Sequence, residues 1–363
     1  MNSLLKLPFY TKAAIFCVGI YVFVAMMFIG KDIIVPFLFG TIIAILLHPV
    51  VVFFERRKIN RILAIIITLL LSFGLIATFA LFMFSQISRF SDSWPAFVDK
   101  FTNLLNQAIK WAPGYFDISV ERVNDMINRL KTEMLNTSSS FIGQTIVSVG
   151  SGIMVVLLIP VYVFLMLFYK PLLVDFIYKL FNDERHGEVK EIITQSKTVI
   201  QRYLMGLLIE TMLVAALNSI GLLILGIDYA VLIGIIGALL NLIPYIGGLV
   251  AVALPMMLAL ITKESPWFVL YVMAIYIFIQ IVDNNYIVPK IVASKVRINA
   301  LVSIIVVLVG GALWGVSGMF LSIPLIAIIK VIFDRIESLK PIGFLLGDTM
   351  PEIIIFKIKR TKK

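Results

Sequence analysis

Apolar residues gather in eight long runs, at 13–29, 33–54, 62–84, 141–169, 203–227, 229–262, 266–282 and 298–329. Glu210 is the single charged residue inside any of them. A helix needs about 20 mainly apolar residues to cross a bilayer. In lipid each backbone polar group needs an internal partner, so such runs must be helical. The pattern therefore predicts an all-α polytopic membrane protein with about eight membrane segments. Lys6 and Lys12 precede the first run, as in a signal peptide. Lys31-Asp32 and another apolar run follow it in place of a small-residue cleavage site, so it reads as an uncleaved first span.

Two runs have the wrong length. Residues 229–262 and 298–329, as straight helices at about 1.5 Å per residue, would reach roughly 50 Å, against a hydrocarbon core of about 30 Å. Both carry helix breakers near their centres. The first holds Asn241-Leu-Ile-Pro244-Tyr245-Ile-Gly247-Gly248, the second Gly310-Gly311-Ala-Leu-Trp314-Gly315-Val-Ser317-Gly318 and then Pro324. Proline removes a backbone donor and glycine relaxes the chain. Each run is expected to form a Gly/Pro-broken hairpin of two short helices, re-entrant or fully crossing.

The polar stretches complete the map. Residues 1–84 are N-terminal spans and 85–140 a small helical extracytoplasmic module. Within that module Trp94, Phe97, Val98, Phe101, Leu104 and Leu105 repeat at helical spacing, as do Val123, Met126, Ile127, Leu130 and Met134. Residues 141–169 are a span and 170–202 a cytoplasmic amphipathic segment. Residues 203–333 form a C-terminal membrane core containing both hairpins, and 334–363 a basic cytoplasmic tail.

Composition agrees. Of the 363 residues, 61% are apolar and 14% charged, where soluble domains average about 45–50% and 25%. The net charge is +10. With the N-terminus inside and both long runs folded back, 23 of the 31 Lys and Arg fall on the inner side. That is the positive-inside bias, and it places both termini in the cytoplasm without invoking nucleic acid. Cys17 is the lone cysteine, so no intrachain disulfide can form, and its apolar setting suggests packing. His48 and His186 stand far apart, and no phosphate loop, metal-ligand spacing or nucleophile motif is present. Nothing argues for an enzyme or a cofactor.

A few polar residues stand out. Glu210 would cost about 2.5 kcal/mol or more at membrane depth unless it faces protein or a cavity. It is a candidate for proton or ion coupling, or else a group near the headgroups. Gln280, Asp283, Asn284 and Asn285, closed by Pro289, could bind a cation or a polyol, or cap a helix end. Asn241 and Tyr245, beside Pro244, Gly247 and Gly248, offer polar groups at a backbone break. Gly310, Gly311, Gly315 and Gly318 line the second break. Two broken segments of opposite orientation are what transporters place around a midplane site, although glycine and proline also serve close helix packing.

These three motifs carry a resemblance. Residues 241–248, Gln280-Ile-Val-Asp-Asn-Asn-Tyr-Ile-Val-Pro-Lys-Ile and Val309-Gly-Gly-Ala-Leu-Trp-Gly-Val-Ser-Gly resemble the AI-2E family of bacterial permeases. The family's Pro-x-x-Gly-Pro signature falls on Pro244, Gly247 and Gly248, with glycine replacing the last proline. The resemblance implies an inner-membrane secondary transporter that forms homo-oligomers. Its expected cargo is a small polar solute such as autoinducer-2, or Na⁺ or Li⁺ exchanged for protons. A passive oligomeric channel and a non-transporting scaffold are the alternatives.

Overall fold

The computed structural model describes residues 8–111, 125–133, 157–243, 247–292 and 298–349. Among these the chain is helical, with one isolated bridge between Ile298 and Gly347. The helices are α1 (Phe9–Ile29), α2 (Lys31–Arg56), α3 (Arg61–Trp111), α4 (125–133), α5 (Leu157–Phe168), α6 (Lys170–Lys179) and α7 (His186–Ile224). They continue with α8 (Ala230–Asn241), α9 (Gly247–Thr262), α10 (Trp267–Val282), α11 (Ala300–Arg335) and α12 (Lys340–Leu346). Six helices among the described residues are long and apolar enough to cross a membrane: α1, α2, α3, α7, α10 with its extension, and α11. The α5–α6 pair, bent by 61°, would make a seventh. The described residues form the expected all-helical membrane bundle, with six or seven spanning helices.

α7 is the axis of the bundle. It packs against α2, α8, α10 and α11. No proline interrupts its 39 residues, so the amphipathic segment expected at 170–202 and the span expected at 203–227 share one helix from His186 onward. Its buried stripe, Val189, Ile200, Tyr203, Leu204, Glu210, Val214 and Asn218, keeps helical spacing across both. The helix ends in a Schellman turn: Ile227 N–H donates to Leu222 O at 3.0 Å and Gly226 N–H to Leu223 O at 2.9 Å. Gly226 takes φ +63°, where a Cβ would strain the chain. Tyr229, also left-handed at φ 57°, then opens α8 back along α7.

The 229–262 run divides into α8 and α9, which pack on each other. At about 18 and 24 Å each is shorter than the hydrocarbon core, because the chain breaks after Asn241. The 298–329 run also reverses direction. Trp314 (φ −134°, ψ 15°) and Gly315 (φ 63°, ψ −144°) leave helical geometry. The two arms of α11 then lie side by side, with Ser322 Oγ donating to Val306 O at 2.8 Å across sixteen residues. In a straight helix those positions would be about 24 Å apart. The arms touch at glycine: a Cβ on Gly310 would lie 2.5 Å from Gly318 O, and one on Gly318 1.9 Å from Gly310 O.

Two further expectations change. The third span and the polar module do not part at residue 84, since α3 runs unbroken through residue 111. No glycine or proline lies between Gly74 and Pro95, and the serines and glutamine there are compatible with a helix. Its distal part docks on the hairpin, where Phe90 and Phe97 meet the Tyr229 ring edge-on and Ser93 Oγ lies 2.7 Å from Tyr229 Oη. α4 joins it through Lys131–Asp99 at 2.8 Å. The Trp111-Ala-Pro-Gly break expected after it lies mostly outside the described residues, as does the expected span from 141 to 156. Cys17 is exposed on α1, which holds no buried residue, so it is not a packing residue.

Candidate functional site

The two hairpins sit against α7 at different places. The α11 hairpin joins α2 and the 200–204 segment through Ile42, Ile200, Tyr203, Leu204 and Leu321. Gly310, Gly311 and Gly318 pack within the hairpin itself, Gly315 turns it with open space around the residue, and none of the four lines the polar pocket described next. Pro244 and Tyr245 lie outside the described residues. Gly247 opens α9 directly against the Leu240 and Asn241 backbone.

The polar residues of the first hairpin meet α7 and α10. Asn241 Nδ2 donates to Asp283 Oδ2 at 3.1 Å. Asn218 of α7, Tyr276 and Gln280 of α10, and the bare Gly237 and Gly248 of α8 and α9 complete a pocket of about 10 Å³ around this bond. A Cβ on Gly248 would stand 3.1 Å from Gln280 Oε1. Asp283 and Asn218 are each 2% exposed and Tyr276 5%. Three oxygens here, Asp283 Oδ1, Asn218 Oδ1 and Tyr276 Oη, are buried with no hydrogen-bond partner.

An unpartnered buried polar group costs about 1–3 kcal/mol. Three beside one pocket are expensive as mere packing. Two are acceptors and the third a hydroxyl that can accept. Together with Asn241 and Gln280 they make an oxygen-rich site in an apolar bundle, the donor chemistry suited to a monovalent cation or the hydroxyls of a small polar solute. Among the described residues no group of three His, Cys, Asp or Glu could hold a transition metal.

Glu210 lies two turns below Asn218 on the same α7 face and is 8% exposed. Tyr203 and Asp283 are within electrostatic reach of it. Asn284, Asn285 and Pro289, in contrast, are exposed. The chain there does not stop as a loop but winds on as a wider π-helix, Asp283–Val292, and Asn285 Nδ2 bonds back to Ile281 O at 2.8 Å. That winding turns Asp283 inward and its neighbours out.

Asn218 and Tyr276 are not conspicuous in the sequence because apolar runs hide them. The signal is spacing. Glu210, Val214 and Asn218 stand at i, i+4, i+8, and Tyr276, Gln280 and Asp283 at i, i+4, i+7, each set on one helix face.

A bundle of apolar helices around a buried oxygen cluster defines a multi-pass membrane protein with an internal polar site. The chain belongs to the AI-2E family transporters, whose family pattern it matches over residues 14–338. It is 24% identical over 313 residues to the protein YueF of Bacillus subtilis (strain 168), covering 84% of each chain. To the AI-2 transport protein TqsA of Escherichia coli (strain K12) it is 23% identical over 325 residues, covering 89% of this chain and 92% of TqsA.

Proposed function

We propose that this protein is a gradient-driven transporter whose permeating species binds at the Asn218–Asn241–Tyr276–Asp283 cluster. The observation that carries the reading is the trio of buried, unpartnered oxygens around one small pocket. About 10–15 Å³ holds a single water, so the site in this state fits one water-sized species, such as a dehydrated Na⁺ or Li⁺. A polyol of the autoinducer-2 kind, the cargo in TqsA's name, requires α9 to part from α10. Glu210 and Asp283 are the carboxylates that couple cargo to a cation or proton. The protein sits in the bacterial cytoplasmic membrane with both termini in the cytoplasm.

The test is flux in proteoliposomes, with autoinducer-2 and with Na⁺ against an imposed pH gradient. Asp283→Asn and Asn218→Leu are expected to lower flux about tenfold or more, since each removes an interaction worth at least about 1.4 kcal/mol at a tenfold effect. Glu210→Gln is expected to uncouple flux from the gradient. Unchanged coupled flux in all three variants would remove the cluster from the pathway.

A further inference from the structure

A second polar cluster lies at the opposite end of α7, outside the transport site. His48 of α2 stands between two lysines: its Nε2 is 2.5 Å from Lys170 Nζ of α6, and its Nδ1 3.2 Å from Lys197 Nζ of α7. A neutral imidazole has one acceptor nitrogen and one N–H, and a protonated one has two N–H groups. An ammonium has only donors. With both lysines charged, at least one of the two contacts sets donor against donor. Arg61 adds another positive charge to the same recess, and its guanidinium already donates to Leu167 O at 2.7 Å. Among the described residues no carboxylate is ion-paired with either lysine; Glu55, the carboxylate acting on Lys170, lies 3.9 Å from Arg61. Beside them Ser196 Oγ is buried without a partner.

The cluster opens into a groove of about 940 Å³ between α2, α6, α7 and α11. This is the size range of small-molecule sites, about 300–1,000 Å³. Its walls are mainly apolar, with Ile177, Val189, Ile192, Ile193, Ile328 and Ile332 along it. Arg335 at the rim donates to Glu191 in a two-pronged pair at 2.8 and 2.7 Å, so that carboxylate does not serve the lysines. Glu188 and Glu337 are the acids on the groove wall, and Glu337 lies 3.5 Å from Lys340.

We propose that this groove binds one anionic phospholipid, its phosphate between Lys170 and Lys197 and an acyl chain along the isoleucine wall. The phosphate accepts the donors that His48 leaves opposed, and the hydroxyl of Ser196 gains a partner. Charge complementarity selects the headgroup, and the groove's apolar length selects an amphiphile over a free anion. Basic pockets between membrane helices hold anionic headgroups by the same physics. The bound lipid fastens α2, α6 and α11 to the end of α7 opposite the transport site.

The experiment is native mass spectrometry of the detergent-purified full chain titrated with phosphatidylglycerol, phosphatidylcholine or inorganic phosphate. The wild type is expected to prefer phosphatidylglycerol over phosphatidylcholine by about tenfold. Lys170→Met with Lys197→Met should bring that ratio near one, and the paired arginine substitutions should keep it. Ile193→Trp should weaken both lipids. Should the methionine pair not fold, each single lysine variant carries the test. Three results would overturn the proposal: a preference that survives loss of the lysines, phosphate binding that matches the phospholipid, or lipid retention indifferent to Ile193→Trp.

Discussion

Tyr276 separates what a residue does for folding from what it does for function. Its hydroxyl is buried without a partner, so Tyr276→Phe removes an unmet hydrogen-bonding group and leaves the ring among Leu222, Ile233 and Val272. Thermal unfolding in detergent is expected to show unchanged or higher stability, by up to about 1 kcal/mol. Flux is expected to fall several-fold if the hydroxyl coordinates cargo as proposed. A loss of stability with normal flux would mean that the hydroxyl is structural. Legibility at this scale followed chemistry that interrupts a pattern. Glu210 was conspicuous as a charge in an apolar run, and Asp283 as part of a dense polar stretch. Asn218 and Tyr276 interrupt nothing, being uncharged and tolerated in hydrophobic segments. Asn284 and Asn285 were equally conspicuous yet face outward, since the π-helical winding after Val282 decides which of three adjacent polar residues points in.

At the scale of elements, the reversal of α11 depends on a few backbone positions. Gly315 adopts φ 63° with ψ −144°, a region that other residues enter only at about 1–3 kcal/mol. Gly310 and Gly318 permit the arms to touch. Gly315→Val should destabilise by about that amount, and Gly310→Val by a further 1–3 kcal/mol from overpacking, both read by thermal unfolding. A direct check uses cysteines at 306 and 322 in a Cys17→Ser background. A short bifunctional reagent should link them in intact membranes, whereas a straight helix would hold them about 24 Å apart. The break was visible in advance because 32 apolar residues are too many for one crossing and the glycines fall at the centre. The continuity of α3 and α7 was not. Hydropathy marks where lipid ends, but a helix ends only where a cap, glycine or proline ends it, and none stands at residue 84 or 202.

For the whole molecule, charge and packing make a joint statement about sidedness. The end of the bundle holding His48, Arg61, Lys170, Lys197 and Arg335 is basic and grooved, while the end holding Ser93, Tyr229 and Lys263 is capped by the distal part of α3. Short basic loops stay in the cytoplasm, so the first end is expected inside and the α3 extension outside. The distal arm of α3 rests on the α8–α9 hairpin, so the proposed parting of α9 from α10 is expected to be felt at that end through Tyr229. Single cysteines at Lys58 and Lys263 in a Cys17→Ser background test the placement. In intact cells a membrane-impermeant maleimide should label the Lys263 position and spare Lys58, and permeabilisation should expose Lys58. The reverse pattern would invert the topology and place the basic groove outside. Equal labelling of both without permeabilisation would mean that the two ends are not separated by a membrane at all. With the expected orientation, adding cargo should alter the labelling rate at Lys263 more than at Lys58, because Lys263 follows α9 directly and Lys58 lies at the far end of α2.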